Sequence, residues 1–251
     1  MKSVSTEELQ QWKELHGRIS TAIEKLWSCI RDVLCADAPE GHVPEELEED
    51  QSLDTKEILS YSWRGLKEAS VLLRSIVSKA PIGTSDESIL TPAEFERLGQ
   101  QCFIQLVELR HRGAFSTVAQ TFAAFCRRCF SVSDPDLRVL PEKWYGEALR
   151  SIQDKATAIT RRSAGIPALI SGIVGAEPQP GGKLFARAMK DLIAEASLSA
   201  VSSNIEESRL PQVHALNCIK EIFTSSKLSA VSEAYIGNGL DLAARNLNSS
   251  M

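Results

Sequence analysis

Two adjacent arginines stand directly before small residues and a proline in Arg161-Arg162-Ser163-Ala164-Gly165-Ile166-Pro167. A guanidinium is a planar fork that meets a phosphate or a carboxylate through two parallel hydrogen bonds. Pro167 suits the first turn of a helix, and the free N–H groups at a helix start favour an anion. Ala164 and Gly165 leave space beside that backbone. The chemistry on offer is anion binding, to RNA phosphate or to an acidic side chain of a protein. Two other places have the same ingredients. Arg110, His111 and Arg112 read as a basic cluster at a corner between helices, and Arg64 and Lys67 lie three apart, on one helix face. Trp63, Trp144 and Tyr145 are aromatic candidates for such a surface, or side chains lodged between helices. Arg127 and Arg128 fall near an expected helix end, where the carbonyl dipole attracts positive charge.

Catalytic patterns fail by contrast. Glu177 to Leu184 contains Gly-Gly-Lys, but a phosphate-binding loop needs Gly at Glu177 and Ser or Thr at Leu184. Gly237-Asn238-Gly239 lacks the preceding strand of a nucleotide-binding turn and reads as a helix break. Cys126 and Cys129 form a lone CxxC, whereas a structural zinc needs four ligands. On a helix these two cysteines would pack inward with the arginines between them facing out. His16, His42, His111 and His214 are scattered over different segments with no triad order. The sequence therefore predicts no enzyme, no resident cofactor and no metal site.

The elements that must position the basic corners are helices. Leu15, Ile19, Ile23, Leu26, Ile30, Val33 and Leu34 recur at steps of three and four, as do Phe115, Val118, Phe122, Phe125 and Cys129. Leu184/Phe185, Ala188/Met189, Leu192/Ile193 and Ala196 form another stripe, and Val213, Leu216, Ile219 and Phe223 a further one. Thr91, Pro92 and Glu94 spell a capping box with proline at the first helical position. Breaks are expected at 131–136, at 175–182 and near 208–211, and no alternating strand pattern is present. Arg64-Gly65-Leu66, Arg112-Gly113-Ala114 and Arg162-Ser163-Ala164 follow one another at spacings of 48 and 50 residues. Each is expected to open an apolar helix. Helix-pair repeats run at ~40–47 residues, so the expected fold is all-α, an α-solenoid of stacked antiparallel helix pairs of the HEAT or armadillo kind. In that register Arg64, Arg112 and Arg162 would form one basic ladder.

Composition agrees with this reading. Of 251 residues 43% are hydrophobic, enough for a buried core, and only 6% are aromatic. Residues 1–60 hold 6 Lys/Arg against 14 Asp/Glu, and the remainder 22 against 19. An acidic front thus precedes a mildly basic body, which permits a nucleic-acid partner without demanding one. Residues 1–36 read as an N-terminal helical segment, 37–54 as an acidic linker or loop, and 55–251 as the repeat domain. Cys29, Cys102, Cys126 and Cys218 sit inside apolar helical patterns, as reduced, buried thiols do. The start carries no apolar core of a signal peptide, and no apolar run approaches the ~18 residues of a membrane span. The expected location is cytoplasmic.

Five segments occur in an order and spacing that carry a resemblance. SWRGLKEASVLL (62–73), LRHRGAF (109–115), LPEKW (140–144), TRRSAGIPALI (160–170) and QVHALNCIKEIF (212–223) closely resemble the central conserved domain of the THADA family. The resemblance covers residues 55–248 and implies an all-helical, HEAT/armadillo-like protein several times longer than this chain, of which it reads as a fragment. It also implies a non-catalytic subunit that helps position tRNA for 2′-O-methylation of anticodon-loop nucleotide 32. The partner would be an FtsJ-like methyltransferase, and that enzyme would bind S-adenosylmethionine. The motif from Arg161 to Pro167 is implied to serve that modification. The alternative is a protein-interaction scaffold with no RNA role.

Overall fold

Thr91 starts a helix through the two reciprocal bonds that its sequence predicts. Its Oγ1 accepts the Glu94 N–H at 3.2 Å, and its own N–H donates to Glu94 Oε2 at 3.1 Å. Ser5 and Glu8 build the same box at 3.2 and 2.8 Å, so both helices begin where a side chain replaces the missing backbone acceptor. The computed structural model describes residues 5–36, 55–154, 165–198 and 205–248, with only the backbone described at residues 55, 154, 205–209 and 246–248. The acidic segment 37–54 and the stretch Arg161 to Ala164 lie outside the described residues.

The helices are α1 (Thr6–Cys35), α2 (Thr55–Lys79), α3 (Pro92–Glu108), α4 (Arg112–Ser131), α5 (Leu140–Asp154), α6 (Ile166–Val174), α7 (Lys183–Ser197), α8 (Ile205–Thr224) and α9 (Ile236–Asn248). They pair as α1/α2, α3/α4, α5/α6 and α7/α8. Along one layer α2, α4, α6 and α8 each pack on the next. Along the other, side chains join α1 to α3, α3 to α5 and α5 to α7. Arg31 grips Glu108 with two bonds of 2.7 and 2.8 Å, Lys143 reaches Glu96 at 2.7 Å, and Arg187 reaches Glu142 at 2.8 Å. Arg97 pairs with Glu24 in the same layer. The chain is therefore an all-α solenoid of stacked antiparallel pairs, with one continuous core from Ile23 to Leu242. Because α1 contributes Ile23, Trp27, Ile30 and Leu34 to that core, it belongs to the array, although Leu15 of its expected stripe is 40% exposed.

The repeat is visible in the hydrogen bonds themselves. Lys143–Glu96 spans 47 residues, Arg187–Glu142 spans 45 and Tyr145–Asp191 spans 46. In the other layer Arg128–Ala80 spans 48 and Arg74–Gln120 spans 46. Each links equivalent positions of successive pairs, the nearest-neighbour stacking on which a solenoid depends.

Several expectations need correction. Arg64-Gly65-Leu66 does not open a helix; it lies in the middle of α2, which starts nine residues earlier at Thr55. Arg112 does open α4. Helix α8 runs through Pro211, although a break was expected near 208–211. The ring removes one intrahelical bond, and packing on α6 and α7 holds the segment helical regardless. Gly237-Asn238-Gly239 is likewise no break but the first turn of α9. A Cβ on Gly239 would sit 2.5 Å from the Phe223 ring, so the glycine is a packing residue. The apolar stripe of α8 holds at Ile219, a core residue, and at Leu216 and Phe223, packed against the core, but not at Val213, which is 46% exposed; His214, Ala215, Cys218 and Ile222 are buried beside it. Cys29 is exposed, not buried.

The Gly-Gly-Lys loop has a structural role. The Glu177 carboxylate accepts the Leu184 and Phe185 N–H groups at 3.0 and 2.8 Å, so the chain's own anion fills the start of α7. Gly181 turns the loop there with φ +76°. Glu177→Ala removes a charged cap and should cost about 1–2 kcal/mol, read as a lower denaturant midpoint at unchanged slope.

Candidate functional site

Three of the motif segments converge at one corner of the array. The C-terminal end of α1, the α3–α4 turn and the start of α6 meet there. The Leu34 carbonyl at the end of α1 accepts the N–H groups of Arg110 and His111 at 3.1 and 3.3 Å. Gly165 packs so tightly on α3 that a Cβ would lie 2.4 Å from the Leu106 carbonyl oxygen. Gly113 is equally confined, with its Cβ position 2.7 Å from Trp63 Nε1. The Trp63 and His111 rings stand 5.9 Å apart at 45°. The glycines therefore let helices approach where any side chain would hold them apart.

Within this corner the basic residues divide by role. Arg110 Nη1 donates to the Glu108 and Val107 carbonyls at 2.8 and 3.3 Å, closing the C-terminal end of α3. Its charge is spent on the helix dipole. His111 caps α4, its Nδ1 accepting the Ala114 N–H at 3.2 Å. Arg64, Lys67 and Arg112 are exposed. Lys67 lies 3.8 Å from Glu68, whereas Arg64 and Arg112 have no ion-pair partner among the described residues. Among the described residues of the predicted cluster, these three are the exposed cations.

Gly165, Ile166 and Pro167 are all buried, with Ile166 1% exposed. These three build the corner and do not present side chains to a ligand. Arg161, Arg162, Ser163 and Ala164 lie outside the described residues. Trp144 and Tyr145 are 0% exposed, so neither is a surface aromatic. The Tyr145 hydroxyl bonds Asp191 at 3.0 Å, and burial, then that bond, pushes its pKa well up. Cys126 and Cys129 face inward as expected; burial pushes Cys129, like Cys102, up to about 12, leaving unreactive thiols. Arg128 lies in the last turn of α4, as expected, and its Nη2 also donates to the Ala80 carbonyl just past α2 at 2.9 Å.

Sequence reasoning missed cations on the same layer. Arg74 continues the α2 spacing 64, 67, 71, 74, and Arg127 continues the α4 spacing 112, 116, 119, 123, 127. That helical period was the available signal, and it was masked because Arg127 sits beside Arg128 near a helix end. Lys227, in the turn after α8, carried no signal at all.

The fold and its corner define a helical-repeat protein that offers a basic surface between stacked helix pairs. A family description, THADA/TRM732, DUF2428, matches residues 14–251, and the chain belongs to that family. The match takes in α1, ahead of the acidic stretch. The Schizosaccharomyces pombe tRNA (32-2′-O)-methyltransferase regulator trm732 is 37% identical across 93% of this chain. The Drosophila melanogaster tRNA (32-2′-O)-methyltransferase regulator THADA is 26% identical across 94% of it, and the human one 33% identical across 74%. The chain spans 16% of the length of the first two relatives and 10% of the human one. No solved structure matches it. Among the described residues no helix is long and apolar enough to cross a membrane.

Proposed function

We propose that the chain is part of a non-catalytic tRNA-modification subunit acting in the cytoplasm. It holds tRNA while a partner methyltransferase of the FtsJ type, itself the binder of S-adenosylmethionine, methylates the ribose of anticodon-loop nucleotide 32. Family membership and the names of the relatives support the reading. The observation on this chain that carries it is the corner of Arg64, Lys67 and Arg112, exposed around packed Trp63 and Gly113, with Arg64 and Arg112 unpaired among the described residues.

A positioning subunit contributes by fixing where the reacting ribose stands, since holding two reactants in register removes orientational entropy from the reaction. Contacts to the phosphate backbone are suited to that, because they set register and orientation without reading sequence. Arginine suits the task better than lysine, its rigid fork bonding two phosphate oxygens at once. The packed glycines keep the arginine-bearing helices at a fixed separation.

The test replaces Arg64 and Arg112 together by alanine in the gene and measures 2′-O-methylation at tRNA nucleotide 32. Methylation should fall at least about tenfold, the loss of two charge-assisted contacts of ~1.5–3 kcal/mol being ample for that. Unchanged methylation in a stably expressed variant would remove the corner from the reading. Unchanged methylation after deletion of the whole gene would remove the tRNA role.

A further inference from the structure

A groove of about 440 Å³ opens on the layer formed by α2, α4, α6 and α8, away from the corner. Its floor is made of small residues, with Ala119 and Ala123 from α4 and Gly172 from α6. Gly172 lies against α4 closely enough that its Cβ would touch Ala123 at 3.6 Å. Arg74, Arg127 and Lys227 stand around it, with Glu221 the one acid among the described lining residues. Arg74 leans on the Gln120 side-chain oxygen, a neutral partner that leaves its charge uncompensated. Arg127 and Lys227 are exposed and have no partner among the described residues. The seams of the opposite layer differ, since Arg31, Arg97, Lys143 and Arg187 are each paired with a carboxylate of the next helix. Among the described residues no aromatic side chain lines the groove.

We infer that this groove binds the phosphodiester backbone of RNA as a second, sequence-independent contact, about 20 Å from the corner along α4. The inference rests on the tRNA reading above and adds to it where the backbone runs. Fifteen residues separate Arg112 from Arg127, which is ~22 Å of helix at 1.5 Å per residue. Two cationic positions that far apart on one layer fit an extended polyanion. Small floor residues let a backbone approach the helices closely, and three cations against one acid select negative charge. Without an aromatic platform no base can stack there, so the contact positions the RNA and does not read it.

The experiment titrates the 251-residue chain with an intact tRNA by fluorescence anisotropy over a range of salt. It compares wild type with Arg127→Gln/Lys227→Gln, and with Arg18→Gln/Lys190→Gln on the opposite layer as a charge control. Poly-glutamate serves as the competing acidic polypeptide. Each lost phosphate contact lowers the slope of log affinity against log salt by ~0.9, which is roughly tenfold in affinity at 0.1 M. The groove variant should therefore bind tRNA tens of times more weakly, with a slope shallower by about two. The loss should be the same for tRNAs with different anticodon loops, and the control should bind like wild type. All four side chains are exposed, and coincident thermal melts establish that the variants fold. Undiminished tRNA binding by the groove variant overturns this inference and leaves the tRNA reading standing. Failure of the wild-type chain to bind any tRNA overturns both. Poly-glutamate bound as tightly as tRNA, and weakened equally by the substitutions, overturns the RNA assignment in favour of a protein occupant.

Discussion

Trp144→Ala should destabilise the chain by about 3–5 kcal/mol, the range for removing a large buried aromatic side chain. Equilibrium denaturation of the purified chain measures it. The ring is 0% exposed at the junction of α3, α4 and α5. It lies 5.1 Å from the Phe122 ring, and its Nε1 donates to Gln100 Oε1 at 2.9 Å. Two of its ring carbons occupy the place of an absent side chain, 2.8 Å from where a Cβ on Gly99 would stand. Truncation therefore empties a space bounded by two helix pairs. Trp144→Phe keeps most of that volume and loses the hydrogen bond, so it should cost clearly less. Equal losses for the two variants would mean that the bond to Gln100, and not the packing, carries the effect. A loss below about 1 kcal/mol for the alanine variant would show that the junction collapses without cost.

Gly165→Val should be nearly as damaging, at about 2–3 kcal/mol, for the opposite reason of crowding. The backbone at Gly165, φ −87° and ψ −2°, is open to any residue, so conformational freedom is not the issue. The obstacle is the Leu106 backbone, with its oxygen 2.4 Å and its carbonyl carbon 3.1 Å from the new Cβ. A side chain can rotate away from a clash, whereas a carbonyl is fixed in the backbone of α3. Helix α6 must therefore retreat from α3, and the groove floor at Gly172 moves with it. Thermal melting measures the cost, and tRNA titration should show weaker binding even under conditions where the variant is folded. A variant with wild-type melting temperature would mean that α6 tolerates displacement.

Much of the fold was legible in the sequence, and the physical reason is that its signals are local. A capping box acts over three residues and a helical stripe over seven or so, which is why Thr91, Glu94 and the Phe122 face of α4 fell where expected. The repeat spacing was readable because motif segments recur along the chain, and hydrogen bonds of equivalent positions span 45 to 48 residues. Local signals also misled. Pro211 and Gly237-Asn238-Gly239 read as breaks on their own, yet neighbouring helices hold both segments helical.

The candidate site was legible only in outline. Its residue types could be read as anion-binding, and the family resemblance placed them in one domain. Which cations are free could not be read, because that depends on where each helix end finds its partner. Arg110 and Arg112 are two residues apart and alike in type. One is turned onto the α3 carbonyls and the other left in solvent. Gly165, Ile166 and Pro167 looked like part of a grip and are buried residues that pack α6 against α3. Arg74, Arg127 and Lys227 come from three distant segments, and stacking of α2, α4, α6 and α8 alone brings them around one groove. The sequence by itself determined the helices, their caps and their repeating order, all set within a few residues along the chain. Only the tertiary structure decided which charges are neutralised across a helix seam and which remain for a partner, because that balance is struck between residues more than forty positions apart.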